Sequence, residues 1–158
     1  MGLLADVRLI EPVETIHTME IASEARFDEA LSLAFVHEDA CLTAAYLLGY
    51  AVEMRLKAAV GRIRGLAPAD DLYEHIRLAI IRAPDRHDLA TLLELALASR
   101  RVPVSASLDT DFRRHVGIVA ENWDVLFRYK AARIGLPELA DLFNSVVWIR
   151  QSHESLWR

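Results

Sequence analysis

The chain has 158 residues, of which 53% are apolar and 26% are charged, and its 18 basic and 23 acidic side chains give a formal net charge of −5. This length suits one compact domain, and the apolar content excludes an intrinsically disordered chain. The small numbers of glycine and proline exclude a turn-rich sandwich or a fibrous protein, and the negative charge excludes a surface that binds polyanions everywhere. We therefore predict an all-α protein, an antiparallel helical bundle of about five to six helices.

Composition also indicates where the protein resides and how it assembles. The single cysteine, Cys41, favours a reducing compartment, and the first residues lack the basic and apolar regions of a secretory signal. The longest nearly apolar run, residues 40–52, is too short to cross a bilayer. A high apolar content in a small chain favours an apolar subunit interface. We expect a cytoplasmic homodimer that has no contact with a membrane.

The first 22 residues differ in pattern from the rest of the chain. They contain several β-branched residues and Pro12 and show no helical period, which predicts an extended N-terminal arm over residues 1–22. From Ser23, a residue type that caps helix N-termini, apolar residues recur three and four positions apart. The sequence therefore predicts a helical bundle over residues 23–158, with a first helix that begins at Ser23.

The second helix is predicted to follow Glu38 or Asp39 and to stop at Gly65. It is apolar almost all round in its first half, so we expect it at the centre of the bundle. The remaining predicted elements are a helix around residues 72–80 that is broken by Pro84, a helix from Asp85 or Asp88, a helix from about Ser107, a connection over residues 123–135 and a last helix that Pro137 opens.

Glu53 is a carboxylate within this most apolar helix. Burying it costs several kcal/mol unless a cation or several hydrogen-bond donors meet it, so a partner is required. Lys57 stands one turn on and is one such partner, and a further alternative is that Glu53 simply faces water. Arg128 or His87 could instead reach Glu53 from another segment. We favour Arg128, which would form a polar core with Glu53, because its segment is not obviously helical and could fold back over the bundle.

Motifs for metal or nucleotide chemistry are scarce. His37 and Cys41 stand four residues apart, but no second pair has ligand spacing, and the chain has no glycine-rich phosphate loop and no Gly-x-Ser-x-Gly elbow. We predict no metal and no cofactor. The start of the fourth helix could bind phosphate through arginines and free backbone N–H groups. The candidate binding residues are Arg82, Arg86, His87 and Arg128.

Three segments in this order resemble the HEPN superfamily of small prokaryotic helical domains, which are often encoded beside minimal nucleotidyltransferases. They are AAYLLGYAVEMRLKAAV (44–60), RHDLATLLELA (86–96) and ENWDVLFRYK (121–130). The resemblance covers residues 24–158. It implies an antiparallel bundle, a homodimer and a function linked to RNA, either as a metal-independent endoribonuclease or as a non-catalytic binding partner in defence or toxin–antitoxin systems.

The nuclease signature of that family is an arginine followed, after four to six residues, by a histidine near the start of a late helix. Arg82 and His87 are the one match in this chain, but Ala83 replaces the usual polar residue, Pro84 interrupts the helix and the pair lies too early. We therefore expect a HEPN-like module that binds RNA or a protein partner, such as a nucleotidyltransferase-type protein, without cleaving RNA. The alternatives are an endoribonuclease that uses Arg82 and His87, and a purely structural protein–protein interaction module.

Overall fold

Six α-helices occupy most of the residues that the structure describes. A computed structural model describes residues 15–36, 40–66, 69–79, 87–100, 105–124 and 134–156. The helices are α1 (Ile16–Val36), α2 (Cys41–Arg64), α3 (Ala69–Ala79), α4 (Leu89–Ser99), α5 (Ala106–Asn122) and α6 (Leu136–Ser152), followed by a 3₁₀ turn at His153–Leu156. Within these described ranges there is no β-strand. The predicted all-α fold is confirmed.

Helix α2 lies at the centre of the bundle, as predicted, and contacts each of the other five α-helices. Most of its residues are buried, including small residues on several sides such as Ala44, Ala45, Ala58 and Ala59. Small side chains let neighbouring helices approach closely. The helix ends at Gly65, whose φ of 68° lies in the left-handed region that favours glycine. The sequence correctly predicted both the central position and this stop.

The predicted start of the first helix is wrong. Helix α1 begins at Ile16, so residues 16–22 are helical and are not part of an extended arm. Thr15 and Thr18 cap the helix, because the Thr15 Oγ1 accepts from the Thr18 backbone N–H at 3.1 Å and the Thr18 Oγ1 accepts from that of Thr15 at 2.7 Å. Ser23 is no cap, since its buried hydroxyl donates to the Ala51 carbonyl at 2.8 Å. Residues 1–14, the rest of the predicted arm, lie outside the described residues.

The physical reason for the longer helix is the burial of one face of α1 against α2. The buried residues of α1 follow helical spacing from its first turn and are Ile16, Met19, Ser23, Phe27 and Ala30. Burying this face stabilises the helix more than β-branched residues in its first turn disfavour it. Tertiary packing therefore overrides the local preference that suggested an arm.

The opposite side of the bundle is formed by α4, α5 and α6. Phe112 of α5 and Leu142 of α6 are fully buried there. Arg100, which follows α4, donates from Nε to the Leu156 carbonyl at 3.1 Å and from Nη1 to Asp109. These bonds connect the end of α4 to α5 and to the 3₁₀ turn.

Among the residues that the structure describes, each helix is too short or too polar to span a bilayer.

Candidate functional site

A cleft of about 450 Å³ opens between α1, α2, α3 and the turn before α4. We call it the Glu53 cleft. Its ionisable and aromatic lining residues are Arg26 from α1, Tyr50, Glu53 and Lys57 from α2, Tyr73 from α3 and His87 from the turn. The volume lies within the range of small-ligand sites in proteins. The cleft therefore has room for a group about the size of one nucleotide.

Glu53 is the most deeply buried ionisable residue of this cleft, and its side chain is only 2% exposed. Its Oε1 atom accepts from Lys57 Nζ, one helical turn away, and from His87 Nδ1 at 2.8 Å. Two of the three partners considered from the sequence therefore meet this carboxylate. The third, Arg128, lies outside the described residues.

His87 is held from two directions. Because a carboxylate can only accept, the His87 Nδ1 atom carries the proton of the bond to Glu53. The next residue, Asp88, caps α4 by accepting from the backbone N–H groups of Ala90 at 3.0 Å and Thr91 at 3.2 Å. The imidazole side chain is 33% exposed at the cleft. The helix cap fixes the backbone beside His87, and the buried carboxylate fixes the orientation of the ring.

Lys57 brings a positive charge into the cleft wall. Its side chain is 10% exposed, and its Nζ atom lies 5.8 Å from the centre of the Tyr73 ring, within cation–π range. The second oxygen of Glu53, Oε2, is buried and has no hydrogen-bond partner among the described residues. A buried acceptor without a partner costs about 1–3 kcal/mol. The Glu53 carboxylate therefore lacks a hydrogen bond at one of its two oxygens.

The rim of the cleft carries one arginine and aromatic rings. Arg26 is partly exposed and pairs with Glu29 at 2.6 Å, a surface contact that stabilises by less than about 1 kcal/mol and can be exchanged for a ligand. The Tyr50 ring stacks on that of Tyr46, with centroids 6.1 Å apart and planes within 8°. A rim of this kind can bind an anion while presenting flat surfaces to a ring.

The structure describes only part of the predicted site. It brings His87 and Glu53 together, whereas Arg82, Arg86 and Arg128 lie outside the described residues. Arg26 and Tyr73 were not predicted, because each is an ordinary surface residue within its own helix. Only tertiary packing reveals that they face one cleft. The described residues contain no group of three or more side chains arranged to hold a metal ion.

A second partly buried histidine, His115, lies on α5 and packs against α6. Burial lowers the pKa of His115 below its ordinary value of 6.5, the nearby Arg114 charge lowers it further, and Asp111 opposes both. The His115 ring stacks on Trp148 at 4.4 Å, and its Nδ1 atom lies 3.2 Å from the Ser145 hydroxyl. These contacts belong to the packing of α5 on α6. They account for His115 without a ligand.

Comparison with protein-family models, with curated proteins and with solved structures finds no match to this chain. The resemblance to the HEPN superfamily therefore stays a prediction from the sequence.

Proposed function

We propose that this protein is a HEPN-like helical module that binds single-stranded RNA at the Glu53 cleft without cleaving it, within a cytoplasmic defence or toxin–antitoxin system. The observation that supports the proposal is the composition of the cleft. Arg26 and Lys57 bring cationic groups to the cleft, where Lys57 is paired with Glu53, and Tyr50 and Tyr73 supply aromatic surface beside them. Proteins that bind single strands combine these two features, because cations follow the phosphates while aromatic rings stack on the bases.

The overall charge makes a local site necessary. A net charge of −5 does not attract RNA to the protein as a whole, so any affinity must come from cations concentrated in one place. Lys57 is held in the cleft wall by Glu53, and Arg26 lies at the same cleft. The proposal therefore predicts binding that depends on a few residues and weakens as salt increases.

Fluorescence anisotropy with a labelled single-stranded RNA tests the proposal. Removing the stacking surface in Tyr73→Ala should weaken binding about tenfold. Arg26→Ala should also weaken binding. It should reduce the slope of log binding constant against log salt concentration by about 0.7, because one phosphate contact is lost. The matched control is Arg113→Ala, because Arg113 also forms an exposed ion pair, with Glu94 at 2.6 Å, but lies on α5 away from the cleft lining. Equal binding by all four proteins, or no binding, would refute the proposal.

A second candidate function is metal-independent RNA cleavage by His87 with Arg82. The observation that favours it is the contact between His87 and Glu53, because a buried carboxylate that orients an imidazole is a common support for a general acid or base. The test is incubation of RNA with the purified protein in EDTA. Cleavage that is lost in both Arg82→Ala and His87→Ala would establish this activity, whereas intact RNA supports binding alone.

We also propose a homodimer and, as the resemblance implies, a nucleotidyltransferase-type protein as a further partner. Outside the cleft lining, the described surface exposes large apolar side chains, which suits a subunit interface, namely Ile21, Leu78 and Leu136. Light scattering should give twice the chain mass at micromolar concentration. A monomer at that concentration would contradict the dimer.

A further inference from the structure

The unpartnered oxygen of Glu53 suggests which bases the cleft accepts. Resting on the proposed RNA function, we propose that the cleft selects a nucleobase that carries an exocyclic amino group, with Glu53 Oε2 accepting one of its N–H bonds. The side chain is 98% buried, lines the cleft and leaves this oxygen without a partner among the described residues. An ionised carboxylate accepts hydrogen bonds and donates none, so the missing partner is a donor.

The bonds to Oε1, the other oxygen of Glu53, determine how the carboxylate is oriented in the cleft. Oε1 is already occupied by Lys57 and by His87, and the two bonds hold the carboxylate in one orientation. The Lys57 ammonium has three N–H groups, of which one donates to Glu53. The floor of the cleft thus offers an acceptor beside a donor. Cytosine matches this pair, since its amino group donates while the adjacent ring nitrogen accepts.

Uracil can meet this pair only in a shifted position, with its ring N–H on Glu53 and a carbonyl oxygen towards Lys57. It carries a carbonyl oxygen where cytosine carries the amino group, and that oxygen would face the Glu53 carboxylate. Two acceptors placed against each other leave both without a hydrogen bond, which costs free energy in a partly desolvated site. In the position that suits cytosine, uracil therefore meets repulsion and loses a hydrogen bond, and this difference is the basis of the expected preference.

Access to Oε2 requires side-chain movement, and the cleft contains side chains that can move. The oxygen itself is closed off from solvent, while Met19 and Met54 line the same cleft. Methionine is unbranched and adapts its shape to what it contacts. A base that enters the cleft would displace these flexible side chains and leave the helix backbones in place.

Two labelled octanucleotides, oligo(C) and oligo(U), test the inference because they differ at the discriminating edge of the base. The wild-type protein should bind oligo(C) about tenfold more tightly. In Glu53→Gln the preference should fall below about twofold, because an amide both donates and accepts. Glu53→Asp keeps the charge but withdraws the carboxylate by one methylene group, so it should also lose the preference. Circular dichroism checks that each variant is folded, and Arg113→Ala should retain the wild-type ratio.

The outcomes separate this inference from the proposed function. Equal affinity of the wild-type protein for both oligonucleotides, with both weakened by Arg26→Ala, would overturn the inference and leave RNA binding at the cleft intact. A preference for oligo(C) that survives in folded Glu53→Gln and Glu53→Asp would overturn the assignment to Glu53. Binding of neither oligonucleotide would overturn both proposals.

Discussion

Two positions one turn apart on α2 show two ways in which a central helix is used. At Gly49 the helix packs so closely on Trp123 that an added Cβ would lie 2.1 Å from its ring, and the Trp123 indole N–H donates to the Tyr46 carbonyl at 3.1 Å. At Glu53 the helix buries a carboxylate beside an open cleft and leaves one oxygen unsatisfied. Gly49 has no room for a larger side chain, whereas Glu53 borders open space and lacks one hydrogen bond. Native proteins satisfy most of their buried polar groups, so an unsatisfied oxygen beside a cleft marks a place to look for a ligand.

The largest effect is expected from removing the cation at the Glu53 cleft. Lys57→Met leaves the buried Glu53 carboxylate with His87 as its remaining described partner, and the free energy of unfolding should fall by about 3 kcal/mol. Urea denaturation measures this change. The double variant Glu53→Gln/Lys57→Met should lose less than the sum of the two single variants, because it removes both charges together. An unchanged midpoint in Lys57→Met would show that the pair is not buried.

A smaller loss is expected from filling the close contact at Gly49. Gly49→Ala should destabilise the protein by about 1–3 kcal/mol, because the methyl group forces the Trp123 ring out of its position. Gly117 in α5 is the matched control, since an added Cβ there meets nothing within 4 Å. Gly117→Ala should stabilise by about 0.5–1 kcal/mol through helix propensity alone. Equal changes in stability for Gly49→Ala and Gly117→Ala would show that the contact with Trp123 does not restrict the residue at position 49.

The helix cap beside His87 should contribute less again. Asp88→Ala removes the acceptor of two backbone N–H groups and should cost about 1 kcal/mol. Asp88→Asn keeps a capping oxygen, so its stability should stay near that of the wild type. Thermal denaturation of both variants checks the difference. A stability loss in Asp88→Asn as large as in Asp88→Ala would show that charge, and not capping, is what matters.

The smallest effect concerns His115. Because burial lowers its pKa in the folded state, the unfolded chain binds the proton more tightly. The contribution of neutral His115 is fully present above the unfolded value near 6.5, and it is lost as the pH falls below 6.5 and through the lowered folded pKa. His115→Gln should reduce the loss of stability between pH 7 and pH 5, measured by urea denaturation at each pH. An unaltered pH dependence would show that His115 does not contribute.

The sequence predicts the fold well because the relevant signals are local. The apolar composition of α2 predicts its central position, and a single glycine, Gly65, predicts where it ends. The start of α1 was missed because the Thr15 cap lies among β-branched residues, and burial against α2 decides the outcome. The spacing of Glu53 and Lys57 gave one partner of the carboxylate. Which distant side chain completes the cluster is set by tertiary packing, which no local pattern encodes.

The central claim is that RNA lies in the Glu53 cleft. Ultraviolet cross-linking of the wild-type protein to a mixed-sequence single-stranded RNA, followed by mass spectrometry of the digested protein, tests it most directly. Tyr50 and Tyr73 line the cleft, so adducts should map to the peptides that contain them. Excess unlabelled RNA should compete these adducts away. Adducts confined to α5 and α6, or none, would contradict the account.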